Sequence, residues 1–308
     1  MPSMKAIKRR RLTVKNISQI TKAMNLVATS KLQRARNALA AVGDPVRATF
    51  DIVYNTIKHP DAREKPLIKP RNQIKKTAYV LITSNRGLCG GYSSGACKEL
   101  MKHARENGKN PIIIPVGTKG RDYLSRRKYE VTETLFSSEE VSFENANALS
   151  DVLMKMYNDG EIDEVYIVYT KFITVLNLMP IVRKVLPIDP AYVRRVVADN
   201  LDEDEEWEDL GFFPRPMIKS SGTSHIEFEP GLEEVINNVV PWYLSMFMFA
   251  AMTSAALCEH AARMVSMDAS TKNAYEIIDK LTLMFNRQRQ SSITQEITEI
   301  VSGANALQ

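Results

Sequence analysis

Between Gly231 and Gly303 the chain has no glycine, and its one proline, Pro241, stands near the start. From Trp242 onward about 60 residues run with helix formers and few breakers, a rod of roughly 90 Å at the helical rise. Globular helices are usually far shorter, so such a run predicts a coiled coil, a membrane span or a repeat. No window of bilayer-spanning length is wholly apolar. The stretch 241–257 comes closest, and Glu259, His260 and Arg263 follow at once. The rod must therefore find partners, inside the chain or outside it.

The other end offers one. Residues 4–42 also lack glycine and proline. Ile17, Ile20, Met24 and Val27 are spaced three, four and three, and Lys31, Arg34 and Ala38 continue that face, a heptad pattern that starts apolar and turns basic. The first 43 residues hold ten Lys or Arg and no Asp or Glu. Such one-sided charge seeks solvent or an acidic partner. Aromatic residues are absent before Phe50 and no recognition motif appears, so a nucleic-acid role is disfavoured. In the C-terminal rod Leu257, Met264, Thr271, Ile278 and Phe285 fall seven apart, which implies left-handed supercoiling. Small residues, among them Ala255, Ala256, Ala261, Ala262 and Ala274, are expected to keep the rod slim. The two rods pair most simply antiparallel, because a whole domain lies between them. The last turns, around Ile293, Ile297, Ile300 and Val301, are expected to extend past the pair as an exposed apolar stripe, with Gly303 as a C-cap.

Between the rods the pattern changes. Residues 55–75 read as a connector broken by Pro60, Pro66 and Pro70. Strands are expected at 77–83, 111–116, 164–170 and 181–186, and helices at 92–106, 121–126 and 143–158. This alternation predicts a mostly parallel, Rossmann-like sheet with helical cover over about residues 76–190. The fold class is thus α/β: a long antiparallel coiled coil of the terminal helices (1–58 and 232–308) plus that foot domain. Residues 199–209 hold eight acidic residues and no basic ones, within a stretch, 199–230, that reads as mostly loop with a short extended piece at 226–228.

Chemistry is scarce. The turn Ser84-Asn85-Arg86-Gly87-Leu88-Cys89-Gly90-Gly91 follows a first strand, where dinucleotides and phosphates bind in related layouts. Its glycine spacing fits neither GxGxxG nor a P-loop, and no lysine follows. A tight turn, or a docking loop exposing Arg86, fits better. The four histidines have no ligand spacing. Cys89, Cys97 and Cys258 form neither a metal pattern nor a disulfide framework, which suggests a reducing compartment. No cofactor site and no self-contained catalytic set is expected, and no signal or transit peptide is apparent.

Three separate runs carry a resemblance. They are Ile17-Ser18-Gln19-Ile20-Thr21-Lys22-Ala23-Met24 with Val27-Ala28 and Ser30-Lys31-Leu32; the turn 84–91; and Arg263-Met264, Met267-Asp268, Thr271-Lys272-Asn273-Ala274, Leu281-Thr282, Asn286-Arg287, Arg289-Gln290, Ile293-Thr294-Gln295-Glu296 and Glu299-Ile300-Val301. In this order and over nearly its whole length the chain resembles the gamma subunit of F-type ATP synthases. The resemblance implies a rotor shaft inside a ring of three alpha and three beta subunits. It places the foot domain against an epsilon subunit and a membrane ring of c subunits, so membrane association comes only through the complex. Lys22, Met24, Arg289, Gln290 and Thr294 would meet the beta subunits, coupling rotation to catalysis without bond chemistry. The turn Arg86, Gly87, Leu88, Cys89, Gly90 and Gly91 would be a foot-domain signature. Plant and cyanobacterial members carry a regulatory insertion near the acidic run, and the chloroplast form has a redox cysteine pair there; this chain has no cysteine between Cys97 and Cys258, so thiol switching is not expected. A bacterium is expected, with the subunit on the cytoplasmic face of the plasma membrane. The competing readings are an enzyme with helical arms, which should bind a nucleotide in isolation, and a coiled-coil adaptor or nucleic-acid binder, which should bind DNA or RNA in a salt-dependent way.

Overall fold

The computed structural model describes residues 3–71, 73–107, 111–132, 136–137, 141–197, 228–229 and 231–306. Its helices are α1 (Met4–Ile57), α2 (Tyr92–Glu106), α3 (Thr118–Ser125), α4 (Phe143–Asn158), α5 (Pro190–Val197) and α6 (Leu232–Ala306). Its strands are β1 (Thr77–Ile82), β2 (Pro111–Val116), β3 (Glu164–Phe172) and β4 (Leu178–Leu186). The acidic run 199–209 and the extended piece expected at 226–228, apart from Phe228, lie outside the described residues.

The chain packs as two compact units, Ser30–Ala262 and a second one made of Met1–Thr29 with Arg263–Gln308. The larger is three-layered. Its sheet has the order β2-β1-β3-β4, with β1 parallel to both neighbours and β4 antiparallel to β3. All six residues of β1 are buried, as a strand covered on both faces requires. Tyr79 and Leu81 point to one face, under α2 and α3, where Cys97, Leu100 and Leu124 pack. Ala78, Val80 and Ile82 point to the other, covered by α4 and by parts of α1 and α6.

That second cover differs from the sequence expectation. The rods were read as shaft alone, yet residues of both belong to this core. Val42, Val46, Phe50, Val53 and Ile57 of α1 are buried there beside Tyr243, Leu244, Phe247 and Ala251 of α6. Phe50 meets the Tyr243 ring edge-on at 5.2 Å. The same packing explains why α1 passes through Gly43 and Pro45 as one 54-residue helix. Glycine and proline in a helix together cost about 4 kcal/mol. Five buried apolar side chains, at about 1.5–3 kcal/mol each, outweigh that. Ala255 and Ala261, read as slimming a rod, are buried in this unit too. By length and composition α6 could cross a bilayer, but 72% of its most apolar window is buried within the protein.

Other expectations are corrected too: α3 begins at Thr118 rather than Arg121, β3 and β4 run to Phe172 and from Leu178, and α5 was not expected. The connector is partly ordered: a 3-10 turn, Pro60–Glu64, buries Ala62. After it, Arg71 and the amides of Lys75 and Lys76 converge on Asp163. Gly303 does not cap α6, which continues to Ala306. Outside the helix's own backbone, none of the described residues would crowd a side chain at Gly303.

Candidate functional site

In the smaller unit α1 and α6 pair antiparallel. Arg11 lies over the Phe285 ring at 5.5 Å, Thr21 faces Thr271, and Asn25 Nδ2 donates to the Met264 carbonyl at 2.9 Å, so partners climb one helix as they descend the other. On α6 the residues turned inward are Met264, Met267, Thr271, Ala274, Ile278, Leu281 and Phe285. Their spacing alternates three and four, the heptad seam. The seven-spaced series read from the sequence is therefore one half of this seam, and Met267, Ala274 and Leu281 are the other.

On α1 the seam is not the one the sequence suggested. The inward residues are Ile7, Arg11, Val14, Ser18, Thr21, Asn25 and Ala28. Ile17, Ile20 and Val27, the most apolar stripe, are exposed, Ile20 at 59%. A hydrophobicity reading takes the greasiest face for the buried one; here the pair is held across a small and polar face. The signal that could have found it is the unbroken sequence of small or polar residues, Ser18, Thr21, Asn25 and Ala28, at heptad spacing opposite the small residues of α6.

The expected coupling residues fall into two levels of this unit. Lys22 is exposed and Met24 half-buried, beside the Thr21–Thr271 contact. Arg289, Gln290 and Thr294 lie on the exposed surface of α6. Eighteen residues separate Thr271 from Arg289, roughly 27 Å along the helix. The structure thus does not bring the five together. Thr294 Oγ1 is turned back to the Gln290 carbonyl at 2.9 Å. Beyond Phe285 only Met4–Arg10 of α1 remain, about two turns, so the α1 partner runs out before Ile297. Ile293, Ile297, Ile300 and Val301 are all exposed, Ile300 at 70%, as expected from the sequence.

In the larger unit the signature turn joins β1 to α2. Ser84 Oγ lies 2.7 Å from Ser93 Oγ, and Ser93 Oγ accepts from the Ser84 amide. Asn85 Oδ1 accepts from the Thr118 amide at 3.1 Å, while Thr118 Oγ1 donates to the Asn85 carbonyl. The neighbouring turn at Gly117 has φ +95°, and a Cβ there would sit 2.1 Å from the Thr83 carbonyl oxygen. The two turns are so close that their own polar groups satisfy one another where a phosphate would otherwise be cradled. Cys89 is buried against Tyr92 and Cys258, and Tyr92 Oη donates to the Ala255 carbonyl. Pinning Cys89 turns its neighbour outward: Leu88 has φ +66° and is exposed. A leucine in this region is strained. Arg86 and Gly87 are exposed beside it. Burial pushes the Cys97 thiol up to about 12, opposed by the nearby Arg127 charge. Burial likewise pushes the Cys258 thiol well up. Among the described residues no group of His, Cys, Asp and Glu could hold a metal ion.

A family model described as ATP synthase matches residues 3–307. The chain is 36% identical to the ATP synthase gamma chain of Desulforamulus reducens, with each chain covered in full. The chain belongs to the ATP synthase gamma-chain family. It is 34% identical, over 98% of its length and 97% of the relative's, to the sodium-ion-specific ATP synthase gamma chain of Acetobacterium woodii. Its fold is that of a chain in the Euglena gracilis mitochondrial ATP synthase, TM-score 0.65 at 17% identity, covering 99% of this chain and 94% of that one. It is also that of a chain in the central stalk and c ring of the Tetrahymena thermophila enzyme, TM-score 0.55 at 23% identity, covering 81% and 98%. As a gamma chain it is a non-catalytic rotor component that couples c-ring rotation to the catalytic beta subunits.

Proposed function

We propose that the smaller unit is the part of the rotor that turns inside a sleeve of three alpha and three beta subunits. The observation that carries this is the stripe of α1 left exposed by pairing. Ile17, Ile20 and Val27 stay outside the seam, as do Ile293, Ile297 and Ile300 at the tip of α6. Contiguous exposed apolar stripes mark interaction surfaces. The same α1 carries cations and no carboxylate up to Gly43, so its polar flank suits acidic loops on the sleeve.

In this reading residues 1–29 and 263–308 supply the shaft, and the larger unit, with its sheet domain at 76–190, supplies the foot, which meets an epsilon subunit and the c ring. Lys22 and Met24 form one coupling level, and Arg289, Gln290 and Thr294 a second near the tip. Each polar contact there must be modest, because a rotor needs many near-equal angular states. Leu88 and Arg86, thrust outward by the strained turn, supply a docking point on the foot; strain of this kind clusters at functional positions. The complex sits at the bacterial plasma membrane with this subunit on the cytoplasmic side.

The test is native mass spectrometry of the complex captured through this chain after gentle detergent extraction. One copy of the 34.8 kDa chain with three copies each of two larger subunits is the expected result. A homodimer, or the chain alone, would sink the proposal. For the coupling levels, rotation torque and ATP synthesis are measured on Arg289→Ala with Gln290→Ala; unchanged values would remove that assignment.

A further inference from the structure

The outer face of α2 and α3 carries a charge pattern that the rotor role leaves unused. Lys98, Lys102 and Arg105 fall at i, i+4 and i+7 on α2, one stripe of the helix, and all three are exposed. Arg126, Arg127 and Lys128 follow α3 and are exposed as well. The two sets adjoin: Arg127 packs on the Tyr123 ring at 3.7 Å, and its charge is felt by Cys97, next to Lys98. Glu99 and Glu106 lie on α2, and Asp122 is tied to Arg121.

Several other cations of this unit are paired. Lys65 reaches Glu233, Lys69 reaches Glu64, Arg71 reaches Asp163 and Lys184 reaches Glu164. Among the described residues, Lys98, Lys102, Arg105, Arg126 and Lys128 form no ion pair. Their face also shows no exposed large hydrophobic residue on α2 or α3. It therefore lacks the apolar anchor of a membrane-binding helix and fits an acidic polypeptide instead.

The chain holds such a polypeptide. Residues 199–209 carry eight carboxylates and no cation, and begin two residues after α5 ends at Val197. From Val197 the carboxylates at 202–209 lie five to twelve residues on, a reach of about 17 to 40 Å, so the later ones can round the edge of a sheet with one helix layer on each face. A tether of this length gives an effective concentration on the order of millimolar, which an external acidic segment has to match.

We propose that the α2–α3 face is the docking surface for this chain's own acidic run, 199–209. Several weak surface pairs act together, so the contact is salt-sensitive.

The test is zero-length carbodiimide cross-linking of the full-length chain, alone and in the complex, mapped by peptide mass spectrometry at low and high salt. Peptides containing 199–209 are expected to join Lys98, Lys102 or Lys128, with the yield falling at high salt. Arg105→Glu with Arg126→Glu removes no cross-linkable amine, and it is expected to lower that yield by about fivefold or more. Both positions are exposed, so the melting temperature should hold. Cross-links from the run to Lys5, Lys8 or Lys15, or to another subunit, would overturn the proposal. So would no cross-link, or a yield indifferent to salt and to the double reversal. Phosphatidylserine vesicles that bind the native chain, but not the double variant, would assign the face to lipid and overturn it too.

Discussion

Thr21 and Thr271 stand hydroxyl to hydroxyl across the helix pair, their oxygens 2.7 Å apart and 250 residues apart in sequence. Each also faces a carbonyl of its own helix, Ser18 for Thr21 and Met267 for Thr271. Thr21→Val is expected to cost about 1 kcal/mol, because it leaves Thr271 facing a methyl group. Thr21→Val with Thr271→Val should recover most of that loss, since both partners are then apolar and of unchanged shape. A double-mutant cycle on melting curves of the chain measures the coupling. Additive losses would mean that the hydroxyls do not interact.

Gly117 has no room for a side chain. Its φ of +95° and the Thr83 carbonyl leave no room for a methyl group. Gly117→Ala should destabilise the domain by more than about 3 kcal/mol, from strain and clash together. Gly87, with nothing within 4 Å of a built Cβ, is the control: Gly87→Ala should stay within about 0.5 kcal/mol. Denaturant midpoints decide between them.

Acid should weaken the clamp at Asp163. Burial alone would raise this carboxyl, but the Lys76 and Lys75 amides and Arg71 outweigh it and hold it below its ordinary value. A depressed native value means that the stabilisation is complete above about pH 4. It is lost as pH falls through the lower native value. Asp163→Asn should cost about 2 kcal/mol at neutral pH and flatten that part of the acid limb. Stability measured across the acid range checks both.

At the tip, Ile297→Asp and Ile300→Asp should leave the isolated chain within about 0.5 kcal/mol of the parent, because both side chains are exposed. The same changes should impair coupled turnover in the assembled complex. A large loss of stability without the sleeve would contradict the single-helix tip.

Cys97 offers a reporter. With its thiol pushed up to about 12 and its side chain buried, it should resist iodoacetamide at pH 8 while the domain is folded. Alkylation should track unfolding in denaturant. Rapid labelling of native Cys97, mapped by peptide, would refute its burial.

Element type was legible in the sequence because the periods differ. Strand-like runs such as 77–83 contrast with the glycine-free rods, and β1, β2 and α4 fall where the residues place them. The α6 seam was half legible through its seven-residue spacing. The α1 seam was not, because hydrophobicity ranks Ile17, Ile20 and Val27 above Ser18, Thr21 and Asn25, and a helix that serves two partners has two faces to give. Nor does composition reveal that Phe50 and Tyr243 meet, since burial of one rod by a sheet and by another helix leave the same pattern. Gly303 looked like a stop because glycine often ends helices; where no αL turn is needed, it merely continues one.

Thr271, the partner of Thr21, is made 250 residues after it. At roughly 5–20 residues per second, a ribosome needs about 12–50 s to travel from Thr21 to Thr271. For that interval the nascent N-terminal helix must wait with its seam face, Ser18, Thr21, Asn25 and Ala28, uncovered. Its ten cations and lack of carboxylates make two such waiting chains repel each other. The charge that suits a sleeve in the finished motor thus also keeps neighbouring polysomal chains from pairing with the wrong copy.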